Sequence, residues 1–279
     1  MSFNPVSNDI PQVNYDVPTA NATLAFESAG EMLCGHLFIA QGRGPHPTVF
    51  LLHGFPGTEQ NFDLAHAARR AGWNAAIFHY RGSWGSGGSY SFGNVLEDTD
   101  TAVNTLVSEE TAAKYRIDPS NIVLVGHSLG GFAALMIASQ NAHVRAVGSL
   151  AGANLGKWAK EIAGKEQEAA YLAEGLNEDS APLRGTSGTA LVKEIVAHRD
   201  TWDLTTLPPQ LAEKPVLMVA GSRDEVVVPT LHHDPLVQAF QDAGHVNFET
   251  QVLDADHSFS DKRIALAGIV VRWLENIRE

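Results

Sequence analysis

Residues 126–130 read Gly-His-Ser-Leu-Gly and follow directly on an apolar run at residues 122–125. A serine between two glycines, after a buried strand and before a helix, is typical of a sharp turn that presents a nucleophilic hydroxyl. The glycines matter because side chains at the flanking positions would collide with the strand or the helix. The string alone is moderately specific, since Gly and Ser also fill ordinary loops. We predict that Ser128 projects into a cleft as a nucleophile, and we assign the adjacent His127 a structural role.

A serine hydroxyl is a poor nucleophile at neutral pH, so Ser128 needs a base, and the sequence offers one downstream. His257 follows a strand-like segment at residues 247–253, and Asp224 follows an apolar segment at residues 216–220. We predict that His257 takes the serine proton and returns it to the leaving group. Asp224 would fix the tautomer of the ring and stabilise the imidazolium that forms. The chain order of the three groups is Ser, Asp, His.

Other carboxylates lie close enough in sequence to replace Asp224 as the acid. They are Glu225, Asp254 and Asp256. The Gly-x-x-Asp pattern at the end of a predicted strand favours Asp224. The alternative role of the other three is to solvate loops and form turns.

These motifs resemble those of the α/β-hydrolase superfamily, and the resemblance runs from about Leu33 onward. The order Ser, Asp, His is the one expected there, whereas other serine hydrolase folds order the groups differently. Residues 80–88, Tyr-Arg-Gly-Ser-Trp-Gly-Ser-Gly-Gly, are similar to a segment of the prolyl-oligopeptidase-like and dienelactone-hydrolase-like branches. The His-Ser-Leu-Gly-Gly form of the turn looks more like esterases and lipases. The resemblance implies an α/β fold with a mostly parallel central sheet flanked by helices.

The sequence also predicts an oxyanion hole, because the negative oxygen of a tetrahedral intermediate needs preorganised donors. The backbone N–H of Leu129, at a helix start, is the first candidate. The motif His-Gly-Phe-Pro-Gly at residues 53–57 supplies the second, on Phe55, because the proline beside it has no N–H. The alternative is that this motif only shapes a turn and that the second donor lies elsewhere, on Tyr80 or Tyr90.

The elements that would position these groups alternate along the chain. Residues 22–28 and 33–40 predict a hairpin, after an irregular lead-in at residues 1–21. Further predicted strands cover residues 48–52, 75–80, 122–125, 144–150, 216–220 and 247–253, and one helix is predicted over residues 95–115. Such alternation favours a mostly parallel sheet with helices on both faces and antiparallel strands at its start. We expect one domain over residues 22–279, with its ligand at the carboxyl ends of the strands.

Residues 153–214 are longer than a single crossover helix requires. Helical periodicity at residues 155–163 and 191–196 predicts a small helical cap over the site. The family resemblance implies that an insertion here shapes the substrate pocket. The candidate substrate-binding residues are Trp158, Tyr171 and Trp202. The alternative is that these aromatics fasten the cap to the body.

Composition narrows the function classes. The chain has 279 residues, 44% of them hydrophobic, and a net charge of −13 from scattered acidic residues. This charge repels phosphate backbones and anionic lipids, so we expect neither nucleic-acid nor membrane binding. The sequence shows no secretory signal and no apolar run near the roughly 20 residues that span a bilayer. Together with a single cysteine, Cys34, these features favour a cytoplasmic protein.

No cofactor and no metal are expected. His232, His233 and Asp234 lie together, but no third ligand follows at suitable spacing. The glycine-rich residues 82–93 lack the lysine and the spacing of a phosphate-binding loop, so they are interpreted as a rim of the cleft.

These observations predict a cofactor-independent serine hydrolase that cleaves carboxylic esters through an acyl-enzyme intermediate. Short or medium acyl groups or aromatic esters are the expected small-molecule substrates, because a compact cap should enclose a limited pocket. The alternative is a small aminopeptidase-like amidase, suggested by the glycine-rich segment. A non-hydrolytic lyase or a binding protein on the same fold remains a further alternative, since fold does not dictate function. The sequence does not indicate the oligomeric state.

Overall fold

An eight-stranded sheet runs through the protein, as seen in a computed structural model that describes residues 3–278. Residues 1, 2 and 279, which belong to the predicted lead-in and domain, lie outside the described part. The strands are β1 (Ala20–Ser28), β2 (Glu31–Ile39), β3 (His46–Leu52), β4 (Asn74–Phe78), β5 (Ile117–His127), β6 (Val144–Leu150), β7 (Val216–Gly221) and β8 (Phe248–Leu253).

The strands lie in the order β1-β2-β4-β3-β5-β6-β7-β8. β1 and β2 form the predicted hairpin, and β2 also pairs antiparallel with β4. The remaining neighbours are parallel. The mostly parallel sheet with antiparallel strands at its start is therefore confirmed.

Helices cover both faces of the sheet. They are α1 (Phe62–Arg70), α2 (Phe92–Val107), α3 (Glu109–Tyr115), α4 (Leu129–Ala138), α5 (Leu155–Ile162), α6 (Glu166–Asp179), α7 (Gly188–Ala197), α8 (Pro229–Asp242) and α9 (Arg263–Arg278). Alternate residues of β3 face opposite cores, as a strand requires. Phe50 and Leu52 join the core that holds α2 and α4, whereas Val49 and Leu51 join the core that holds α1 and α9. Within residues 3–278, none of the helices has both the length and the apolar composition of a membrane span.

The single helix predicted over residues 95–115 is wrong, because the structure divides it into α2 and α3 at Ser108. Ser108 has ψ 142°, which leaves the helical range, and its hydroxyl accepts a hydrogen bond from the N–H of Thr111. Serine competes for backbone hydrogen bonds in this way, which favours a helix start over a helix interior. The apolar periodicity on either side hides this interruption.

A helical cap lies between β6 and β7, as predicted. It contains α5, α6 and α7, followed by two short 3-10 turns at Leu204–Thr206 and Pro208–Leu211. Periodicity indicated α5 and α7 but missed α6. The reason is that α6 buries only Ala173, so its sequence carries a weak apolar stripe.

Candidate active site

The serine turn joins β5 to α4. Ser128 has φ 57° and ψ −120°, a conformation that is strained for a residue with a side chain. A Cβ atom added at Gly126 would collide with the carbonyl oxygen of Gly130, and one added at Gly130 would collide with the carbonyl oxygen of Leu52. Both collisions are with backbone, which has little freedom to move. The two glycines therefore allow α4 to start this close to β3 and β5.

The close approach at Gly126 predicts a large effect of a single methyl group. We expect Gly126→Ala to destabilise the protein by at least about 2 kcal/mol, because overpacking against backbone forces the turn to shift. The matched control is Gly268→Ala in α9, where an added Cβ has nothing within 4 Å. This change should stabilise by about 0.5–1 kcal/mol, since Ala loses less backbone entropy than Gly in a helix. Urea unfolding measures both, and equal stability of the two variants would contradict the steric role of Gly126.

The three predicted groups follow the carboxyl ends of parallel strands in one half of the sheet, where β6 lies between β5 and β7 and β8 pairs with β7. Ser128 follows β5, Asp224 follows β7 and His257 follows β8. These ends meet at one edge of the sheet, where ligands of open α/β sheets bind. Nδ1 of His257 lies 2.7 Å from Oδ2 of Asp224. Since a carboxylate can only accept, the ring donates its Nδ1 proton.

Ser128 and His257 line the same cavity. Among residues 3–278, the hydrogen bonds include none between the Ser128 hydroxyl and the His257 ring. Such bonds are often long until a substrate is bound. The other ring nitrogen of His257, Nε2, is free to act as a base because Nδ1 carries the proton.

Asp224 is held on both oxygens. Its Oδ1 accepts hydrogen bonds from the backbone N–H groups of Val226, at 2.9 Å, and Val227, at 2.8 Å. The three alternative acids are placed differently. Asp254 pairs with Arg223 at 2.8 Å, the side chain of Asp256 accepts from the N–H of Ser260 at 2.7 Å, and Glu225 is exposed.

His127 contacts the loop that carries His257. Its Nε2 lies 2.8 Å from the backbone carbonyl oxygen of His257, so the ring donates this hydrogen bond. Arg263 donates to the next carbonyl, that of Ser258, at 3.1 Å, and also forms an ion pair with Asp63. Two side chains thus hold consecutive carbonyls of the loop that carries His257. Sequence reasoning missed Arg263, because no motif connects it with this loop.

The predicted oxyanion loop lies against Ser128. A Cβ atom added at Gly54 would lie 2.8 Å from Cβ of Ser128. Nδ1 of His53 donates to the Gly54 carbonyl oxygen at 2.8 Å. That carbonyl shares a peptide plane with the N–H of Phe55, so the bond orients the predicted donor.

Phe55 and Leu129 both line the cavity. In the described part of the chain, neither backbone N–H donates to a protein acceptor. The two alternative donors lie elsewhere. The Tyr80 hydroxyl donates to the His53 carbonyl oxygen at 3.0 Å, and Tyr90 is buried beside Phe55 and Phe92 without lining the cavity.

Burial keeps three histidine rings around the site neutral. It lowers the pKa of His53 to about 3, that of His127 to about 4 and that of His232 to about 4. The neutral His232 ring accepts the N–H of Asn154 at 3.0 Å, whereas His233 contacts the Thr250 hydroxyl. Across residues 3–278, no group of three or more His, Cys, Asp or Glu side chains is arranged to hold a metal.

These lowered pKa values predict an acid-labile fold. Between about pH 6.5 and pH 4 these histidines bind protons in the unfolded chain but stay neutral in the folded protein. The stability that they contribute is therefore present above this window and is lost as the pH falls through it. We expect each ring to contribute about 2 kcal/mol of lost stability between pH 7 and pH 5. Urea unfolding at several pH values measures this loss. His127→Gln should make the pH dependence shallower than the control His143→Gln, whose ring is exposed; equal slopes would contradict the role of His127.

The cavity has a volume of about 1630 Å³. Typical ligand pockets occupy roughly 300–1,000 Å³, so the limited pocket predicted from a compact cap is wrong. The cap helices α5 and α6 supply one wall of the cavity, and Tyr171 on this wall is 81% exposed, so the mouth of the cavity is open. Trp158 and Tyr171 contribute to this wall.

Trp202 does not line the cavity. It is 5% exposed, stacks on His198 with ring centroids 4.3 Å apart, and contacts Phe132 of α4 edge-on at 5.6 Å. The prediction that Trp202 binds substrate is therefore corrected, since its ring is occupied by packing between cap and body.

Comparison with known proteins agrees with this fold. A sequence profile described as "Alpha/beta hydrolase family" matches residues 49–266. No curated protein matches the sequence. Among solved structures, an esterase from Pyrococcus furiosus has a TM-score of 0.67 at 18% identity, covering 96% of this chain and 97% of that one.

Two further structures are similar. Est1E from Butyrivibrio proteoclasticus, with ferulic acid bound, has a TM-score of 0.67 at 17% identity and covers 92% of this chain and 100% of its own. An acylaminoacyl peptidase from Pyrococcus horikoshii has a TM-score of 0.68 at 15% identity, covering 92% of this chain but 41% of its own. At these identities the likeness shows a shared fold.

Proposed function

This chain belongs to the alpha/beta hydrolase family, and we propose that it is a serine hydrolase that cleaves carboxylic esters through an acyl-enzyme intermediate. The observation that carries the proposal is the 2.7 Å hydrogen bond between His257 and Asp224 beside a cavity that also holds the strained Ser128. A strained nucleophile, a base and an orienting acid are the groups that acyl transfer requires.

In the proposed reaction, Oγ of Ser128 attacks the ester carbonyl while Nε2 of His257 takes the hydroxyl proton. The N–H groups of Phe55 and Leu129 donate to the negative oxygen of the tetrahedral intermediate. His257 then gives its proton to the departing alcohol, which leaves an acyl group on Ser128. Water repeats the sequence with His257 as base, so one ester and one water yield one acid and one alcohol.

Two of the similar structures support an ester as the substrate. One is that of an esterase, and the other is Est1E with ferulic acid bound, which is an aromatic acid. The cavity of about 1630 Å³ has room for an aromatic acyl group. The likeness to an acylaminoacyl peptidase favours an amide as the second candidate substrate.

The test compares p-nitrophenyl butyrate with aminoacyl p-nitroanilides, using wild type and Ser128→Ala side by side. We expect ester turnover that is lost in Ser128→Ala and negligible anilide cleavage. Efficient anilide cleavage that depends on Ser128 would replace the esterase proposal with the peptidase. Retained ester turnover in Ser128→Ala would contradict the serine mechanism, and no turnover of either substrate would favour a lyase or a binding protein.

A further inference from the structure

Helix α6 carries an unusual concentration of negative charge. Its sequence from Glu166 to Asp179 contains five carboxylates and no lysine or arginine. They are Glu166, Glu168, Glu174, Glu178 and Asp179. This helix is the outer part of the cap and forms one wall of the cavity.

Three of these carboxylates line the cavity, namely Glu168, Glu178 and Asp179. In the described part of the chain, no ion pair neutralises any of the three. The other two acidic lining residues do have cationic neighbours, because Glu161 lies 3.9 Å from Lys165 and Glu59 lies 3.8 Å from Arg263. The wall formed by α6 is therefore the most negative part of the cavity.

Of the three carboxylates that line the cavity, only Glu168 lies in the first turn of α6, where negative charge stabilises a helix. Glu178 and Asp179 lie in the last turn of α6, where the macrodipole already places partial negative charge and favours cations. The helix has no basic residue in its last turn to offset them. The carboxylates and the helix end thus add to one another at the place where the wall meets solvent.

Lys165, which lies beside Glu161, also lines the cavity, and apolar side chains line the path from the α6 wall toward the candidate nucleophile. Leu172 and Leu176 lie on the same wall of α6, and Trp158 and Tyr171 add aromatic faces. Ser128 lies at the base of the cavity and is only 8% exposed. Within residues 3–278, its hydroxyl has no hydrogen-bond partner. Tyr171, by contrast, is 81% exposed, so the acidic wall forms the mouth.

We propose that this acidic mouth selects bulky esters by the charge of the end remote from the scissile bond, preferring a cationic end, accepting an uncharged one and rejecting an anionic one. The inference rests on the proposed ester hydrolysis at Ser128. Negative walls concentrate cations at a cleft and repel anions. Aromatic faces of Trp158 and Tyr171 attract a cation further, through their ring quadrupoles.

The test uses three esters that differ only at the far end of one linear chain, which carries a trimethylammonium group, its uncharged tert-butyl isostere or a carboxylate. The end groups are placed first on the acyl chain of p-nitrophenyl esters and then on the alcohol of butyrate esters. In at least one series we expect kcat/KM to be at least about tenfold higher for the cationic than for the anionic ester. The preference should shrink as salt is added, because exposed charges are screened.

Two double variants of α6 are compared, and each removes two negative charges from this helix. Glu168→Gln with Glu178→Gln removes two carboxylates from the wall, and Glu166→Gln with Glu174→Gln removes two that do not line the cavity. We expect the first pair to reduce the ratio of cationic to anionic kcat/KM by about threefold or more, and the second to leave it within about twofold. Urea unfolding checks that both pairs keep the fold, and the second pair should retain turnover of the uncharged ester.

Equal kcat/KM for the three end groups in both series, with turnover of the uncharged ester that depends on Ser128, would overturn the inference and leave the proposed function standing. Equal effects of the two pairs of variants would also overturn it, since they would assign the preference to net charge alone. No turnover of any ester that depends on Ser128 would contradict the proposed function and the inference with it.

Discussion

Replacing Ser128 with alanine is expected to lower kcat for p-nitrophenyl butyrate by at least about 10⁴-fold and to leave the fold intact. The first part follows because no other group can form the acyl-enzyme bond in the proposed reaction. The second follows because the serine hydroxyl has no hydrogen bond to the rest of residues 3–278, so alanine leaves no polar partner unsatisfied. Alanine also fits wherever serine does, with the same backbone strain.

The measurement combines initial rates with acid-quenched mass spectrometry. Wild type should gain the mass of the butyryl group during turnover, and Ser128→Ala should not. The matched control is Ser139→Ala, at the other end of α4, where the hydroxyl donates to the Met136 carbonyl oxygen. It should turn over ester at a rate close to that of wild type. A butyrylated Ser128→Ala protein, or kcat within about tenfold of wild type, would contradict the assignment of the nucleophile.

The sheet and the serine turn were predictable because their signals are local. β3 is buried at all seven positions, and its residues 49–52 form an apolar run that is recognisable without knowledge of the neighbouring strands. Gly126 and Gly130 are fixed by collisions with the backbone of the turn and of β3, and glycine alone avoids them. Where a single residue type meets a single steric demand, the sequence predicts the structure well.

Contacts between distant parts of the chain were not predictable in this way. His127 and Arg263 contact the loop that carries His257, although they are far from each other in the sequence. Trp202 packs against His198 and Phe132 and therefore does not line the cavity. The five carboxylates of α6 are close together in the sequence, but that three of them line the cavity depends on how this helix packs. Cavity volume likewise depends on how the cap packs, which composition does not determine.

Replacing Asp224 with asparagine is expected to inactivate the protein. The change keeps the shape of the side chain but moves the proton on the His257 ring. Oδ1 of Asp224 accepts from the N–H groups of Val226 and Val227, and Oδ2 accepts from Nδ1 of His257. Asparagine has one oxygen, and the two backbone donors require it. Its amide N–H₂ must then face the His257 ring, which can accept only if its proton moves to Nε2. That tautomer cannot take the proton of Ser128, so kcat should fall by about 10⁴-fold.

Asp254→Asn is the matched control, since Asp254 is an alternative acid of the same type that pairs with Arg223 at the surface. It should keep kcat within about twofold of wild type, because surface ion pairs contribute little. Rates on p-nitrophenyl butyrate and urea unfolding of both variants separate loss of activity from loss of fold. If Asp254→Asn or Asp256→Asn lost activity while Asp224→Asn retained it, the acid of the proposed mechanism would be reassigned. If Asp224→Asn alone loses activity and remains folded, the hydrogen bond to His257 acts by holding the ring in the tautomer that accepts a proton.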